Sequence, residues 1–301
     1  MCKIQIYILC RNRLNYFKEC LNSVLNQNFK DYEVVVSDNS DDNKIKSFLE
    51  SNHNNLKYIK RNSSITALEH YKLLIDEASK EYVVFFHDDD IMKNDYLSEI
   101  YNYIEGNSGL VAVGSNAFYI NKNLKLKKTF SNIKKNKLIN DPHSLIKSYM
   151  GIKVIKHPPF SSYIYKTSLI KNIYISRNEG GKYSDLFFLS KLIEKGKILW
   201  ISKPLIFYRL HETNDSSSES ILDRINLINN ICNKYKFHRR DSYIRQYKFK
   251  YLLSFYKKRR LKYFKRRRVI LKFLILSFIN FLIFNNSFRN NLLKNLFSKI
   301  I

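Results

Sequence analysis

A chain of 301 residues can form one large domain or two, and a hydrophobic fraction of 45% with only 7 Gly and 4 Pro excludes disordered, collagen-like and linker-rich proteins. The formal net charge is +27, of which +16 lies between Asn233 and Lys272, where seventeen Lys/Arg meet one acidic residue, Asp241. Four cysteines, Cys2, Cys10, Cys20 and Cys232, have neither Cys-x-x-Cys spacing nor clustered His partners, which argues against a structural zinc site or a disulfide framework and for reduced cytoplasm.

Residues 3–9 alternate Lys3 and Gln5 with Ile and Tyr, and read as a strand too short and too polar to be a signal peptide. A polar turn from Cys10 to Arg13 follows. Phe17, Leu21, Val24 and Leu25 then recur at helical spacing, with Asn12 or Asn15 placed to cap the helix. Tyr32, Glu33 and Val34 to Val36 form a second strand that closes on Ser37, Asp38, Asn39 and Ser40. Residues 44–50 read as a short helix and 56–60 as a third strand; 65–78 form a helix with Leu68, Tyr71, Leu74, Ile75 and Ala78 on one side. Residues 82–86 are apolar throughout, as in a strand buried on both faces, and stop at His87, Asp88, Asp89 and Asp90. This alternation predicts right-handed βαβ crossovers and a mostly parallel sheet.

Open α/β sheets bind ligands beyond the carboxyl ends of their strands, where these acids stand. Three adjacent carboxylates repel one another unless a cation sits among them, and Mg²⁺ or Mn²⁺ prefers such oxygen ligands. A solvated acidic turn ahead of the apolar pattern at Tyr96 and Leu97 accounts for the same residues.

Three stretches together resemble the amino-terminal half of glycosyltransferase family 2: Ile8 to Arg13 with Tyr16, Leu21, Ser23 and Gln27; Glu33 to Ser40; and Phe86 to Asp90. The resemblance implies an α/β, Rossmann-like nucleotide-diphosphosugar transferase fold of GT-A type, a mostly parallel sheet flanked by helices. It places Cys10, Arg11, Asn12 and Arg13 at the donor, Asp38 at its base or ribose, and Asp88 at the ribose or in support of the site. Asp89 is the implied ligand of Mn²⁺ or Mg²⁺. In two places the chain departs from the family pattern. Cys10 and Arg11 replace the usual Thr-Tyr pair, and His87 stands where the first Asp is common, either in that role or as a packed histidine at a strand end.

Further along, residues 96–104 read as a helix and 110–113 as a strand, while 122–136 are a basic excursion that forms a hairpin or surface loop. Residues 141–150 read as a helix capped by Asp141 with Pro142 at its first position. Residues 157–165 resemble the family's strand with a Pro-x-Ser-like turn ahead of the acceptor region. Gly180 and Gly181 then lead to Asp185, at the start of a helix carrying Leu186, Leu189 and Ile193. An Asp there serves as an N-terminal charge or as an oriented base. The resemblance implies the catalytic base, with Ser184 in place of the family's Glu. A strand over 199–208 leads to Arg209 and His211, which resemble the family's Arg-x-His segment, Arg209 holding phosphate charge and His211 completing the metal or diphosphate site. Residues 216–220 are expected to form a lid.

Residues 221–301 depart from the catalytic pattern as a basic helical carboxyl-terminal extension. A run of sixteen residues, 269–284, is short for a membrane span and fits an interfacial helix on an anionic membrane surface better; a helical pair packed on the catalytic domain is the other reading. Nucleic acid is not expected, because stacking and groove-reading motifs are absent. The sequence thus predicts a catalytic domain over 1–220, divided near 105 into nucleotide and acceptor halves, followed by a membrane-associating extension. The expected protein is a cytoplasmic, peripheral, inverting glycosyltransferase that moves sugar from a nucleoside-diphosphate sugar donor to a glycan or lipid-linked glycan acceptor. A sugar nucleotidyltransferase or a non-catalytic adaptor are the competing classes.

Overall fold

The computed structural model describes residues 2–121, 124–150, 157–173, 176–211 and 220–258. The amino-terminal half alternates as the sequence predicts: β1 (Ile4–Cys10), α1 (Leu14–Leu25), β2 (Tyr32–Asp38), α2 (Lys44–Asn52), β3 (Lys57–Lys60), α3 (Ala67–Glu77) and β4 (Tyr82–His87). Next come β5 (Ile91–Met92), α4 (Tyr96–Glu105), β6 (Leu110–Asn121), β7 (Leu124–Thr129), β8 (Lys137–Ile139), α5 (Pro142–Met150), β9 (Tyr163–Lys166) and α6 (Thr167–Ile170). The last elements are α7 (Ser184–Leu192), β10 (Lys197–Arg209), α8 (Ile221–Tyr235) and α9 (Ser242–Lys258).

One sheet runs in the order β3-β2-β1-β4-β9-β6-β10-β5. Its first four strands are parallel. Beyond β4 it becomes mixed: β9 lies antiparallel to both β4 and β6, β10 is parallel to β6, and β5 is antiparallel to β10. Part of the basic excursion, β7, folds back on β6. At Gly114 of β6 the backbone passes so close to β9 that a Cβ would lie 2.6 Å from the Tyr163 ring.

Because side chains alternate across a strand, the sheet buries two different faces. Ile4, Ile6, Ile8, Val34, Val36, Val84 and Phe86 pack with apolar residues of α1, α2 and α4. Tyr7, Val35, Val83 and Phe85 belong to a second core that also holds residues of α3, α5 and α7. That second core takes in Leu227, Ile228, Ile231, Cys232 and Tyr235 of α8 and Ile244, Tyr247 and Tyr251 of α9. Residues 221–251 therefore pack as a helical pair. The apolar run 269–284 and residues 216–219 of the expected lid lie outside the described residues.

Helix starts follow local chemistry. Thr66 and Glu69 close a reciprocal capping box at α3, and Asp141 Oδ1 accepts from the Ser144 amide at 2.9 Å at the start of α5. α1 differs from expectation, since neither Asn12 nor Asn15 caps it. Asn12 is left-handed (φ 56°), and its side chain donates to Asp41 Oδ2 at 2.6 Å and accepts from the Asp41 amide at 2.9 Å. The residue that sequence places at a cap instead clamps together the loops that follow β1 and β2.

Candidate active site

The parallel register sets Leu9 opposite His87 and Cys10 opposite Asp38, so the carboxyl ends of β1, β2 and β4 form one rim. Asp38 is fully buried there. Its Oδ1 accepts from the Ser40 amide at 2.8 Å, and its Oδ2 from the Tyr58 hydroxyl at 2.8 Å and Lys60 Nζ at 3.4 Å. Ser40 Oγ in turn accepts from the Asn12 amide at 2.7 Å. Cys10 is buried, with burial as the main cause raising its thiol well above the ordinary value, so it offers the rim backbone and not a reactive sulfur. Arg11 and Asn12 are exposed. A cleft of about 450 Å³ opens here, lined among others by Asn12, Arg13, Tyr16, Asp42 and Lys44.

Behind Asp38, Ser37 Oγ and His70 Nε2 lie 2.7 Å apart, and burial, with the nearby Arg61 charge, pushes the imidazole down from 6.5 to about 4. The unfolded chain therefore binds a proton at this group more readily, and the stability it contributes is lost as pH falls from 6.5 through about 4. Between about pH 7 and about pH 4.5, wild-type protein should lose about 2 kcal/mol more than a His70→Asn variant, as read from paired urea titrations. Equal losses would remove His70 from the account.

The acidic turn divides its carboxylates among three tasks. Asp88 is fully buried and holds the β1–α1 loop: its Oδ2 accepts from the Arg11 amide at 2.9 Å, and its Oδ1 pairs with Arg13 at 2.6 Å. Asp89 meets Arg13 at 2.9 Å and His211 Nε2 at 2.7 Å. Asp90 accepts from Ser161 Oγ at 2.6 Å and from the Arg209 amide at 3.0 Å. Burial alone raises all three, but His211, Arg13 and His87 together hold Asp89 down at about 2. Asp88, where burial and the Asp89 charge outweigh Arg13, rises to about 7, and Asp90 rises well above the ordinary carboxylate range. One ionised carboxylate among reluctant neighbours is an arrangement short of positive charge.

His87, Asp89 and Asp90 each present a ligand atom within 4.8 Å of the others. One imidazole with two carboxylates suits a divalent ion such as Mn²⁺, and fits less well the all-oxygen preference of Mg²⁺. The sequence points to Asp89 and His211 as ligands; in the structure His211 lies against Asp89, and His87 and Asp90 join Asp89 in the cluster. The signal for His87 was its spacing of two from Asp89, although Tyr71 also engages it, hydroxyl to Nε2 at 2.7 Å. Arg209 differs from its expected phosphate role. It is 1% exposed, and its Nε donates to the Asp89 carbonyl at 2.8 Å while its guanidinium meets Glu19 at 2.7 Å and covers the Tyr16 ring at 4.6 Å. A guanidinium so enclosed braces the acidic turn, whereas the partly exposed Arg13 is the one beside the cleft.

Asp185 belongs to the second half, in the first turn of α7, where its Oδ1 accepts from the Leu186 amide at 2.8 Å. Burial among aromatic side chains pushes its carboxyl up to about 6. The turn Phe160–Ser162 links the two groups of residues. Ser161 holds Asp90, while the Phe160 ring lies 5.5 Å from Tyr71 and 5.8 Å from Phe188, three residues after Asp185.

Comparisons with known proteins identify the family and the fold. Residues 5–166 match the family described as glycosyl transferase family 2. The chain is 27% identical over 226 residues to a GalNAc(5)-diNAcBac-PP-undecaprenol beta-1,3-glucosyltransferase of Campylobacter jejuni, covering 70% of this chain and 65% of that one. The chain thus spans just under two thirds of that relative's length. Among solved structures, TarS of S. aureus superposes with a TM-score of 0.63 at 20% identity over 92% of this chain and 80% of that one. A mannosyltransferase of Pyrobaculum calidifontis, in complex with GDP-Man and Mn²⁺, gives 0.51 at 14% identity over 78% and 65%. At these identities the two structures establish the fold, a GT-A-like sheet flanked by helices.

Proposed function

The chain belongs to glycosyltransferase family 2, and from that membership we propose that it transfers a sugar from a nucleoside-diphosphate donor to a hydroxyl of a lipid-linked or cell-surface glycan, with inversion at the anomeric carbon. The observation that carries this reading is the convergence of His87, Asp89 and Asp90 with Arg13 and His211 at the carboxyl ends of β1 and β4. The donor's nucleoside would lie over the Cys10–Arg13 loop and the Asp38 loop, which Asn12 ties together. A divalent cation, Mn²⁺ in preference to Mg²⁺, would be held by His87, Asp89 and Asp90 and would supply the charge that stabilises the departing diphosphate.

The chain's own groups then do the following. Arg13 turns from the carboxylates to the diphosphate, and Arg209 keeps Asp89 and Asp90 in place through the Asp89 carbonyl and its own amide. Asp185 accepts the acceptor's hydroxyl proton as that oxygen bonds to the anomeric carbon and the bond to the diphosphate oxygen breaks. A carboxyl pushed up to about 6 is ionised at neutral pH yet more basic than an ordinary aspartate, which suits it to that step.

The lipid-linked acceptor in the name of the Campylobacter relative supports the same acceptor class here, and a lipid-linked acceptor would bring the reaction to a membrane surface, in this proposal its cytoplasmic face. The basic residues of the carboxyl-terminal extension would meet that surface. Among the described residues no helix is long and apolar enough to cross a membrane. In this proposal a nucleotide half runs to about residue 105, an acceptor half follows it, and the basic extension faces the membrane. Calorimetric titration of UDP, GDP and dTDP with and without Mn²⁺ tests the donor half. Metal-dependent binding of one nucleotide is expected, and a folded protein that binds none of them with the metal present would sink the reading.

A further inference from the structure

We infer that Arg224, on the helix that follows the catalytic strands, is a positioning residue for Asp185: clasped by tyrosines, it fixes the glycine turn that presents the carboxylate and supplies the positive charge that faces it. The inference rests on Asp185 being the acceptor-side carboxylate.

The packing of α8 on the turn is unusually close. Gly180 and Gly181 have φ of +126° and +54°, values that favour glycine. A Cβ on Gly181 would lie 2.2 Å from the Asp223 carboxylate carbon, and one on Gly180 3.1 Å from Leu227. The first two turns of α8 therefore sit directly on the segment that delivers Asp185. Ser220 begins that helix, its Oγ accepting from the Asp223 amide at 3.3 Å and its own amide donating to the Tyr183 hydroxyl at 3.4 Å.

Arg224 is held from several sides. Its guanidinium carbon lies 3.9 Å from the Tyr183 ring centre, 5.3 Å from that of Tyr247 and 5.6 Å from that of Tyr251, and Nη1 donates to the Tyr247 hydroxyl at 2.6 Å. A planar guanidinium can stack and donate at once, which an ammonium cannot. Tyr183 is two residues before Asp185, so the clasp reaches the carboxylate through the backbone as well as through its field.

The titratable groups that interact with Asp185 come from several elements: Tyr149 of α5, Tyr163 and Tyr165 of β9, Tyr247 of α9 and Arg224 of α8. Asp223 adds a negative charge at Gly181, and Lys250 of α9 lies within the field of Arg224. The tyrosines are neutral at physiological pH, burial being the first cause raising Tyr149, Tyr163, Tyr165 and Tyr247. Burial drives Asp185 toward its protonated form, and the Leu186 amide and, after it, the Arg224 charge oppose it. An Arg present only for packing would leave that balance alone.

The test needs no substrate. In full-length protein carrying ¹³C at the Asp carboxyls, the Asp185 signal is identified by its absence from Asp185→Asn, and its titration is followed by NMR. Wild-type Asp185 should titrate at about 6. Arg224→Met should move that midpoint upward by about one pH unit, and Arg224→Lys, which restores charge, should return it most of the way. Tyr247→Phe removes only the hydroxyl that clasps the guanidinium; it should move the midpoint in the same direction and keeps the test open if Arg224→Met does not fold. A wild-type midpoint in folded Arg224→Met, or in Tyr247→Phe where Arg224→Met does not fold, would overturn the inference. The base assignment fails separately, if Asp185→Asn still transfers sugar.

Discussion

Asp185→Asn is expected to lower the rate of sugar transfer by about 10²–10⁴-fold while leaving nucleotide binding intact. The amide fills the same volume and can still meet the Leu186 amide through its oxygen, so the turn before α7 is preserved. It cannot accept a proton, and the acceptor oxygen must then attack as a neutral hydroxyl. The wild-type pH profile should carry the same signature. Because burial raises the Asp185 carboxyl to about 6, the group is protonated in more of the molecules at any acidic pH than an ordinary aspartate would be, and activity should fall as pH drops through about 6. Transfer of labelled sugar to lipid-linked acceptor, measured beside nucleotide affinity, separates the outcomes. Near-wild-type turnover in the variant would remove Asp185 from the chemistry, and lost nucleotide binding would mean that the change had damaged the fold.

The second large effect falls on Asp89. This carboxylate is shared by Arg13 and His211 and belongs to the cluster with His87 and Asp90, so its removal strips the site of the group best suited to hold a cation. Asp89→Ala should lose at least about a hundredfold in Mn²⁺-dependent nucleotide affinity, at or above the upper end of losses seen when groups that merely support a metal ligand are removed. Thermal melts give an independent readout. With Mn²⁺ present throughout, nucleotide at about 100 times its wild-type Kd should stabilise wild-type protein by about 2.7 kcal/mol, and the variant by no more than about 0.4 kcal/mol. A variant stabilised as strongly as wild type would place the cation elsewhere.

Much of the amino-terminal half is legible in the sequence because its structure is local. The apolar run ending at His87, the helical spacing of Phe17, Leu21 and Val24, and the alternation of strand and helix each declare themselves within about a dozen residues. What escapes is long-range. Asp90 looks like the third of three equivalent acids until Ser161 and the Arg209 amide, 71 and 119 residues away, converge on it. Arg209 reads as a phosphate ligand because nothing near it predicts that Glu19 and the Asp89 carbonyl will enclose it. β9 is hard to place for the same reason: its position between β4 and β6 is a property of the sheet and not of residues 163–166. In α8 and α9 a basic composition draws attention from the apolar stripe of Leu227, Ile231 and Tyr235 that joins the core.

The distance between Asp90 and its partners also sets an order of events during synthesis. At about 5–20 residues per second, a ribosome that has just added Asp90 needs about 6–24 s to reach Arg209. Throughout that interval the parallel strands β1 to β4 can pair as they emerge and Asp88 can already meet Arg11 and Arg13, but Asp90 awaits the Ser161 hydroxyl and the Arg209 amide. The nascent chain can thus pair its parallel strands early and completes the acidic turn only once residue 209 is in place. A chain that ends before Arg209 lacks the partner that holds both the Asp89 carbonyl and the Asp90 carboxylate.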